Sequence, residues 1–326
     1  MPRVEFRESL GIRDAFGQFL VEAGAIYQNL VVLDGDLASS TRTSLFAQKY
    51  PERFFNMGVA EQDMIGTAAG LALGGMLPVV SSFAIFLTGK PWEQIRQSIC
   101  HMALNVKLVA SHAGVTVGPD GASHQALEDV SLMRVLPHMT VIVPADGIEA
   151  RGAFQAALNH YGPVYIRGSR EKFPTIMPDD YCFKIGEAPV LAQGTDITVI
   201  ATGLMVSKAL IAASLLEEEG ISVRVINMST IKPLDRAQVI KAAQETGAIV
   251  TAEEHSVLGG LGSAVAEVLG QSCPVSLEVI GVQDRFGASG QSDELLVRYG
   301  LTEMDIADKV RKVIERKKGD GKRQKK

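Results

Sequence analysis

The sequence predicts an α/β protein of two domains, each built on a parallel sheet covered by helices. Three observations predict it. Short β-branched runs alternate with longer amphipathic ones along all 326 residues. The alternation breaks once, at Pro174, Pro178 and the acidic pair Asp179 and Asp180, and then resumes. A hydrophobic content of 46% against 21% charged leaves enough apolar side chains for two cores.

In the first half, strands are predicted over 30–33, 78–82, 106–110, 140–143 and 164–166, short runs rich in β-branched and aliphatic residues. Helices are predicted between them over 12–27, 61–74, 92–103 and 147–160. Asp146 and Glu149 stand three apart at the start of the last helix, the spacing of a capping box. The second series has strands over 197–201, 223–226, 248–252 and 275–280, with helices over 205–219, 234–246, 261–269 and 303–316. Gly220 is placed to end one of these helices. The expected organisation is a first domain over 1–171, a linker over 172–190 and a second, smaller α/β domain over 191–316. The basic, glycine-broken end over 317–326 is expected to be disordered.

A net charge of −5 gives no reason to expect nucleic acid or membrane partners. Cys100, Cys182 and Cys273 lie far apart with no CxxC spacing, as expected of reduced thiols in a cytoplasmic protein rather than of disulfides or zinc. The first residues carry no apolar signal core, and no apolar run is long enough to span a membrane.

Four constellations carry chemistry. The loop from Ser111 to Asp129 holds His112, Asp120 and His124 among Gly114, Gly118 and Gly121, just after a buried-strand pattern. Such a loop, at the carboxyl end of a strand, is where open α/β sheets bind ligands. The spacing fits no standard zinc pattern, so substrate contact and proton movement are the better roles. Glu61 opens a helix rich in glycine and alanine; it either complements the helix N-terminus or faces something that approaches closely. Phe83 and Phe86, three apart on a strand-to-helix loop, are either core or a stacking floor for a flat heterocycle, a contact worth on the order of 1 kcal/mol. Arg13, the run from Ser39 through Ser40 and Thr41 to Arg42, and the pair Arg167 and Arg170 are candidates for anion binding or ordinary surface residues.

Together and in this order, these residues resemble transketolase, over its pyrimidine-binding and C-terminal domains, from about Arg13 to about Ile314. The glutamate motif is Gly58-Val-Ala-Glu61-Gln, the aromatic motif Ser82-Phe83-x-x-Phe86, and the histidine loop Ser111-His-Ala-Gly with Asp120-Gly-x-x-His124. Asp34-Gly-Asp36 with Ser40, and Gly168-Ser-Arg170, complete the set. The resemblance implies thiamine diphosphate as cofactor and carbohydrate metabolism as the setting. Glu61 is implied to supply the carboxylic acid that bonds the pyrimidine ring nitrogen and favours its imino tautomer. Phe83, Phe86 and Val59 would hold the pyrimidine, and Asp36 would lie near the thiazolium. His112 and His124 would face substrate hydroxyls and move protons, and Asp120 would bind a hydroxyl. Arg13, Ser40, His112 and Arg170 would hold the sugar phosphate.

The chain departs from the family in two places. Many members have a third aromatic six residues after the first; here that position is Gly89, with Trp92 a nearby replacement. Gln62 and Asp63 stand where some relatives have histidine. The family's diphosphate domain binds magnesium (or calcium) through Gly-Asp-Gly followed by asparagine. Neither Asp34-Gly35-Asp36 nor Gly319-Asp320-Gly321 fits that pattern, and the glycines over 259–262 lack dinucleotide spacing and read as the opening of a helix. The implied protein is therefore the C-terminal subunit of a split transketolase. Its implied partner is an N-terminal subunit that binds the diphosphate and metal, the two forming a dimer of heterodimers. Glu253, Glu254 and His255 are expected at the dimer contact, or as a strand-end polar cluster. Deoxyxylulose-phosphate synthase, the beta subunit of a 2-oxo acid dehydrogenase and a non-catalytic partner subunit are the other readings.

Overall fold

The computed structural model describes residues 10–323, with side chains through Lys317. Residues 1–9, the start of the first expected domain, and 324–326 of the expected tail lie outside the described residues.

The first half opens with α1 (Ile12–Ile26), β1 (Leu30–Asp34), α2 (Ala38–Thr41), α3 (Ser44–Lys49) and β2 (Phe54–Asn56). It continues through α4 (Glu61–Leu73), β3 (Leu77–Phe83), α5 (Ala84–Gly89), α6 (Trp92–Gln94) and a π-helix (Ile95–Cys100). Next come β4 (Lys107–Ser111), 3₁₀ turns over Val115–Asp120, α7 (Asp129–Arg134), β5 (Thr140–Ile142), α8 (Gly147–Asn159) and β6 (Val164–Arg167). The second half holds β7 (Val190–Ala192), β8 (Ile197–Ala201), α9 (Met205–Glu218), β9 (Val223–Asn227), β10 (Thr230–Lys232) and α10 (Arg236–Thr246). It ends with β11 (Ala248–Ser256), α11 (Leu261–Ser272), β12 (Ser276–Val282), α12 (Ser292–Tyr299) and α13 (Glu303–Arg323).

Among the described residues, a seven-stranded sheet runs β10-β5-β6-β4-β3-β1-β2 and a five-stranded sheet runs β12-β11-β8-β9-β7. Strands β1, β3, β4, β5 and β6 are buried on both faces, the surroundings that uninterrupted aliphatic runs require. On one face α1 packs against α8, with Phe16 and Phe19 at 4.9 and 5.8 Å from the ring of Phe154. Asp146 caps α8 by accepting from the Glu149 N–H, and Glu149 reaches back to the Ala145 N–H, both at 2.8 Å. Gly220 ends α9 in a left-handed conformation (φ 78°) that a side chain would resist.

Four expectations need correction. Both sheets are mixed rather than parallel: β10 is antiparallel to β5, and β7 to β9. Strand β10 comes from the second half of the chain yet forms the edge of the first sheet, so the two halves share a sheet. The helix expected over 92–103 is a short α-turn followed by the π-helix. Helix α13 runs on to Arg323, so 317–323 is helical where disorder was expected.

The parallel strands bring their carboxyl ends to one edge. Asp34 pairs with Ser81, Phe83 with Ser111, and Ala110 with Arg167. The loops that carry Asp36, His112 and Arg170, and helix α5 with Phe86, therefore leave the sheet side by side.

Candidate active site

After β1, the buried Asp34 carboxylate accepts from the Leu37 N–H (2.6 Å) and from the hydroxyls of Thr41 (2.7 Å) and Thr43 (2.8 Å). Burial raises its pKa in spite of these bonds. The clamp folds the chain back and leaves Asp36 exposed at φ 67°, with Asn56 donating to it at 2.9 Å. Ser40 meets Arg13 through its backbone carbonyl, 3.4 Å from Nη1.

Glu61 is the first residue of α4, and its side chain is 2% exposed. The Lys90 ammonium approaches both carboxylate oxygens, at 3.3 and 3.1 Å, and stands 4.9 Å from the centre of the Phe86 ring. Phe83 and Phe86 lie 6.1 Å apart and nearly parallel. His112 stacks on Phe83 at 3.8 Å, and His124 meets Phe86 edge-on at 5.2 Å. Four of the expected site residues thus form one cluster of rings, with Glu61 linked to it through Lys90.

His112 holds its place at a cost: its backbone is left-handed (φ 57°), uncommon for a residue with a side chain. Its Nδ1 lies 2.8 Å from the Ser111 hydroxyl. Burial, then the positive charge of Arg13, Arg170 and His124, pushes its pKa down to about 3. The imidazole is therefore neutral at physiological pH, able to donate from one nitrogen and accept at the other. Burial, then Arg42 and Arg170, lower the Arg13 pKa against the opposing effect of Asp14 and Glu171, and Arg42 pairs with Asp14 at 2.7 Å, so the arginines gather on a rim that also carries carboxylates. Arg170 is anchored on the histidine loop, donating to the Val117 carbonyl at 2.7 Å and pairing with Asp120 at 3.3 Å.

Some candidates fall elsewhere. Val59 is 71% exposed on the turn before α4. The Trp92 indole donates to the Leu132 carbonyl at 3.0 Å. Arg167 is no anion ligand, being paired inside the protein with Asp129 at 2.8 Å. Glu253 caps α11 through the Leu261 and Gly262 N–H groups at 2.7 and 2.8 Å, and His255 accepts from the Ser131 N–H at 3.4 Å. Glu254, bonded to Thr116, and His255, bonded to Ser131, thus serve the seam between the two halves of this chain, while Glu253 braces the second half itself.

Three residues of the site were not legible as such. Lys90 is one; the signal was a buried glutamate with no cation in its own motif. Glu254 and Gln125 are the others, and both brace the histidine loop. Glu254 accepts from the Thr116 N–H at 2.7 Å and fills the space where a side chain on Gly114 would be. The buried Gln125 amide donates to the carbonyls of Val115 (3.2 Å), Gly118 (3.3 Å) and Ala288 (2.9 Å), the last from the C-terminal half.

The chain belongs to the transketolase family: residues 8–175 match the transketolase pyrimidine-binding domain and residues 186–306 the transketolase C-terminal domain. It is 47% identical over 303 residues to a protein of Methanocaldococcus jannaschii described as a transketolase C-terminal section, covering 92% of this chain and 95% of that one. It is 44% identical over 306 residues to a 6-deoxy-6-sulfo-D-fructose transketolase subunit of Clostridium sp. strain MSTE9, covering 94% and 95%. Among solved structures, a split-gene transketolase in the form of an inactive β4 tetramer superposes with a TM-score of 0.87 at 48% identity, covering 94% of this chain and 99% of that chain.

Proposed function

We propose that this chain is the pyrimidine-binding and C-terminal subunit of a two-chain, thiamine diphosphate-dependent transketolase. It would transfer a two-carbon ketol unit from a ketose phosphate to an aldose phosphate. The observation that carries the reading is the buried Glu61 beside the half-buried face of Phe86, with two histidines and a rim of arginines around it.

The residues fit an aminopyrimidine. Phe86 offers a half-exposed ring, Glu61 a buried carboxyl group, and the Ser82 hydroxyl, next to Phe83 at the end of β3, is buried with no hydrogen-bond partner. Thiamine diphosphate, when bound, would supply the carbanion chemistry needed to cleave a ketose. Glu61 would donate a hydrogen bond to the pyrimidine ring nitrogen, and Phe83 and Phe86 would fix the ring plane. His112 and His124 would hold substrate hydroxyls and pass the proton released as the sugar carbon–carbon bond breaks. Arg13 and Arg170, with the Ser40 segment, would bind the terminal phosphate. Asp120 would set the position of Arg170 and accept from a hydroxyl. Asp36 and Val59 are exposed, and would contribute to the cofactor site only once a partner subunit covers them.

Among the described residues, no group of three or more His, Cys, Asp or Glu could hold a metal ion. In this reading magnesium (or calcium) and the diphosphate would be held by an N-terminal subunit, in a dimer of heterodimers. The near-complete mutual coverage with relatives described as a section and a subunit supports that division. No helix among the described residues is long and apolar enough to cross a membrane, and the three free cysteines suit a reducing cytoplasm.

The test is a transketolase assay with xylulose 5-phosphate and ribose 5-phosphate, thiamine diphosphate and magnesium. The chain is run alone and with a subunit carrying the Gly-Asp-Gly domain. Turnover only in the mixture, lost in Glu61→Gln, is expected. Turnover by the chain alone overturns the two-chain reading, and turnover of pyruvate instead overturns the reaction class. A rim of arginines also suits a sulfonate, so a marked preference for 6-deoxy-6-sulfofructose would replace the ketose phosphate as donor.

A further inference from the structure

We propose that Ser111 is a positioning residue that locks the His112 imidazole in one tautomer, with the acceptor at Nδ1 and the donor, Nε2–H, left for substrate. This rests on the function proposed above, in which His112 meets the oxygens of a sugar phosphate. Neighbouring side chains in a strand point to opposite faces. Ser111 ends β4, and the left-handed backbone of His112 (φ 57°) breaks that alternation. The two neighbours therefore meet, Ser111 Oγ lying 2.8 Å from His112 Nδ1. Both residues are buried, and the imidazole is stacked 3.8 Å from the Phe83 ring. Turning the ring over would put a carbon against the serine hydroxyl and forfeit the bond.

The direction of that bond follows from counting protons. A neutral imidazole has one N–H and one bare nitrogen, and a hydroxyl has a single proton to place. Among the described residues, the Ser111 hydroxyl has no hydrogen-bond partner besides His112 Nδ1. If Nδ1 carried the ring proton, the hydroxyl would accept it and its own proton would be stranded in a buried place. A stranded buried donor costs its desolvation in full. With the hydroxyl donating to Nδ1, no donor is stranded between the two side chains, and the ring proton sits on Nε2. Among the described residues Nε2 has no hydrogen-bond partner, so its N–H is free for a ligand. Burial, then Arg13, Arg170 and His124, holds the ring pKa down at about 3, so the ring is neutral and the tautomer is the choice that remains. An oxygen of a phosphate gathered by Arg13 and Arg170 can accept from Nε2–H. Ser123 and His124 repeat the arrangement, Oγ to Nδ1 at 3.0 Å, but in an exposed position. Water competes there for both groups, so that pair is not locked.

The experiment is long-range nitrogen–proton NMR of the full chain with labelled histidine, at neutral pH, with the His112 signals assigned by their loss in His112→Asn. The wild type should show the Nε2–H tautomer alone. Ser111→Ala should show a mixture of tautomers, and Ser111→Thr, which keeps the hydroxyl, should restore the single form. In the assembled two-chain protein, Ser111→Ala should raise KM for the phosphorylated sugar about fivefold, the scale of one neutral hydrogen bond, with kcat nearly unchanged. A protein merely damaged in packing would not change tautomer and recover it with threonine. An Nδ1–H tautomer in the wild type, or the same single tautomer in Ser111→Ala, would overturn the inference while leaving the proposed function intact. A locked Nε2–H form in a mixture that turns over no ketose would support the lock and overturn the proposed function.

Discussion

Arg167 and Arg170 lie three residues apart, and replacing each with methionine should have opposite consequences. Arg167 donates to both oxygens of Asp129, at 2.8 and 3.2 Å, and to the carbonyls of Ala126 and Glu254. The two side chains are 7% and 0% exposed. Removing the cation strands a buried carboxylate whose remaining partner at that site is the Tyr165 hydroxyl, at 2.6 Å. Breaking such a pair from one side costs roughly 3–5 kcal/mol. At ~2–4 °C per kcal/mol, Arg167→Met should lower the melting temperature by about 10 °C. The pH dependence has a definite sign. Burial pushes the Asp129 pKa up, but Arg167, then His255, and the bonds from Arg167 and Tyr165 outweigh it and hold it below its ordinary value. That stabilisation is present above the unfolded pKa and lost as pH falls through the folded one. In the variant, burial is uncompensated and the pKa rises, so the deficit should be largest at neutral pH and shrink in acid. Arg170, a third exposed on the rim, should instead raise KM for the phosphorylated substrate with little change in melting. Circular dichroism melts at pH 5 and 8, with steady-state kinetics, separate the two. An Arg167→Met protein that melts within about 2 °C of wild type and mimics the Arg170→Met kinetics would refute this division.

Three further outcomes are expected. Burial raises the Glu149 carboxyl pKa from 4.5 to about 7, against bonds from the Ala145 N–H and the Asn227 amide. Its contribution is complete below the unfolded pKa and lost as pH rises through 7, so Glu149→Gln should flatten urea midpoints between pH 5 and 7; an unchanged slope would count against it. Gly114→Ala places a methyl 2.2 Å from a Glu254 oxygen at φ 83°, and should cost about 2 kcal/mol or more along with activity; an unaltered melt would show that the loop yields. His112 should remain neutral from pH 5 to 8 by nitrogen NMR, and a phosphate bound between Arg13 and Arg170 should raise its pKa from about 3. A titration midpoint above 6 in the free protein would defeat that reading.

The elements that the sequence made legible are those whose burial is uniform. Strands β1, β3 and β4 are buried throughout and rich in aliphatic residues because helices cover both faces, and α8 announces its start through Asp146 and Glu149. The short edge strands were hidden for the opposite reason. Strand β2 is half exposed, and β10 is three residues whose partner, β5, lies far back in the chain. No local pattern records such a pairing. The π-helix was hidden because its apolar residues, Ile95, Ile99 and Cys100, also fit an α-helical stripe. At the site, Phe83, Phe86, His112 and His124 were legible because their spacing is fixed by loops at one sheet edge. Arg167 was misleading because pattern alone gives no sign that Asp129 sits against it.

The residues that shape the site most are not the ones that would touch a substrate. His112 holds a left-handed backbone and a costly neutral burial only because its loop is over-determined from behind. Glu254 binds the Thr116 N–H from β11, and the Ala288 carbonyl accepts from Gln125. Ser292, at the start of α12, donates to the Thr116 carbonyl at 3.1 Å. All three supports come from the second half of the chain, and β10 from that half covers the edge of β5, whose Val141 and Ile142 would otherwise lie beside an unpaired strand edge. The second half of the chain thus bears on the candidate site through rigidity. It fixes the loop that presents two histidines and anchors an arginine, and a loop left to itself would relax out of the strained geometry that makes them useful.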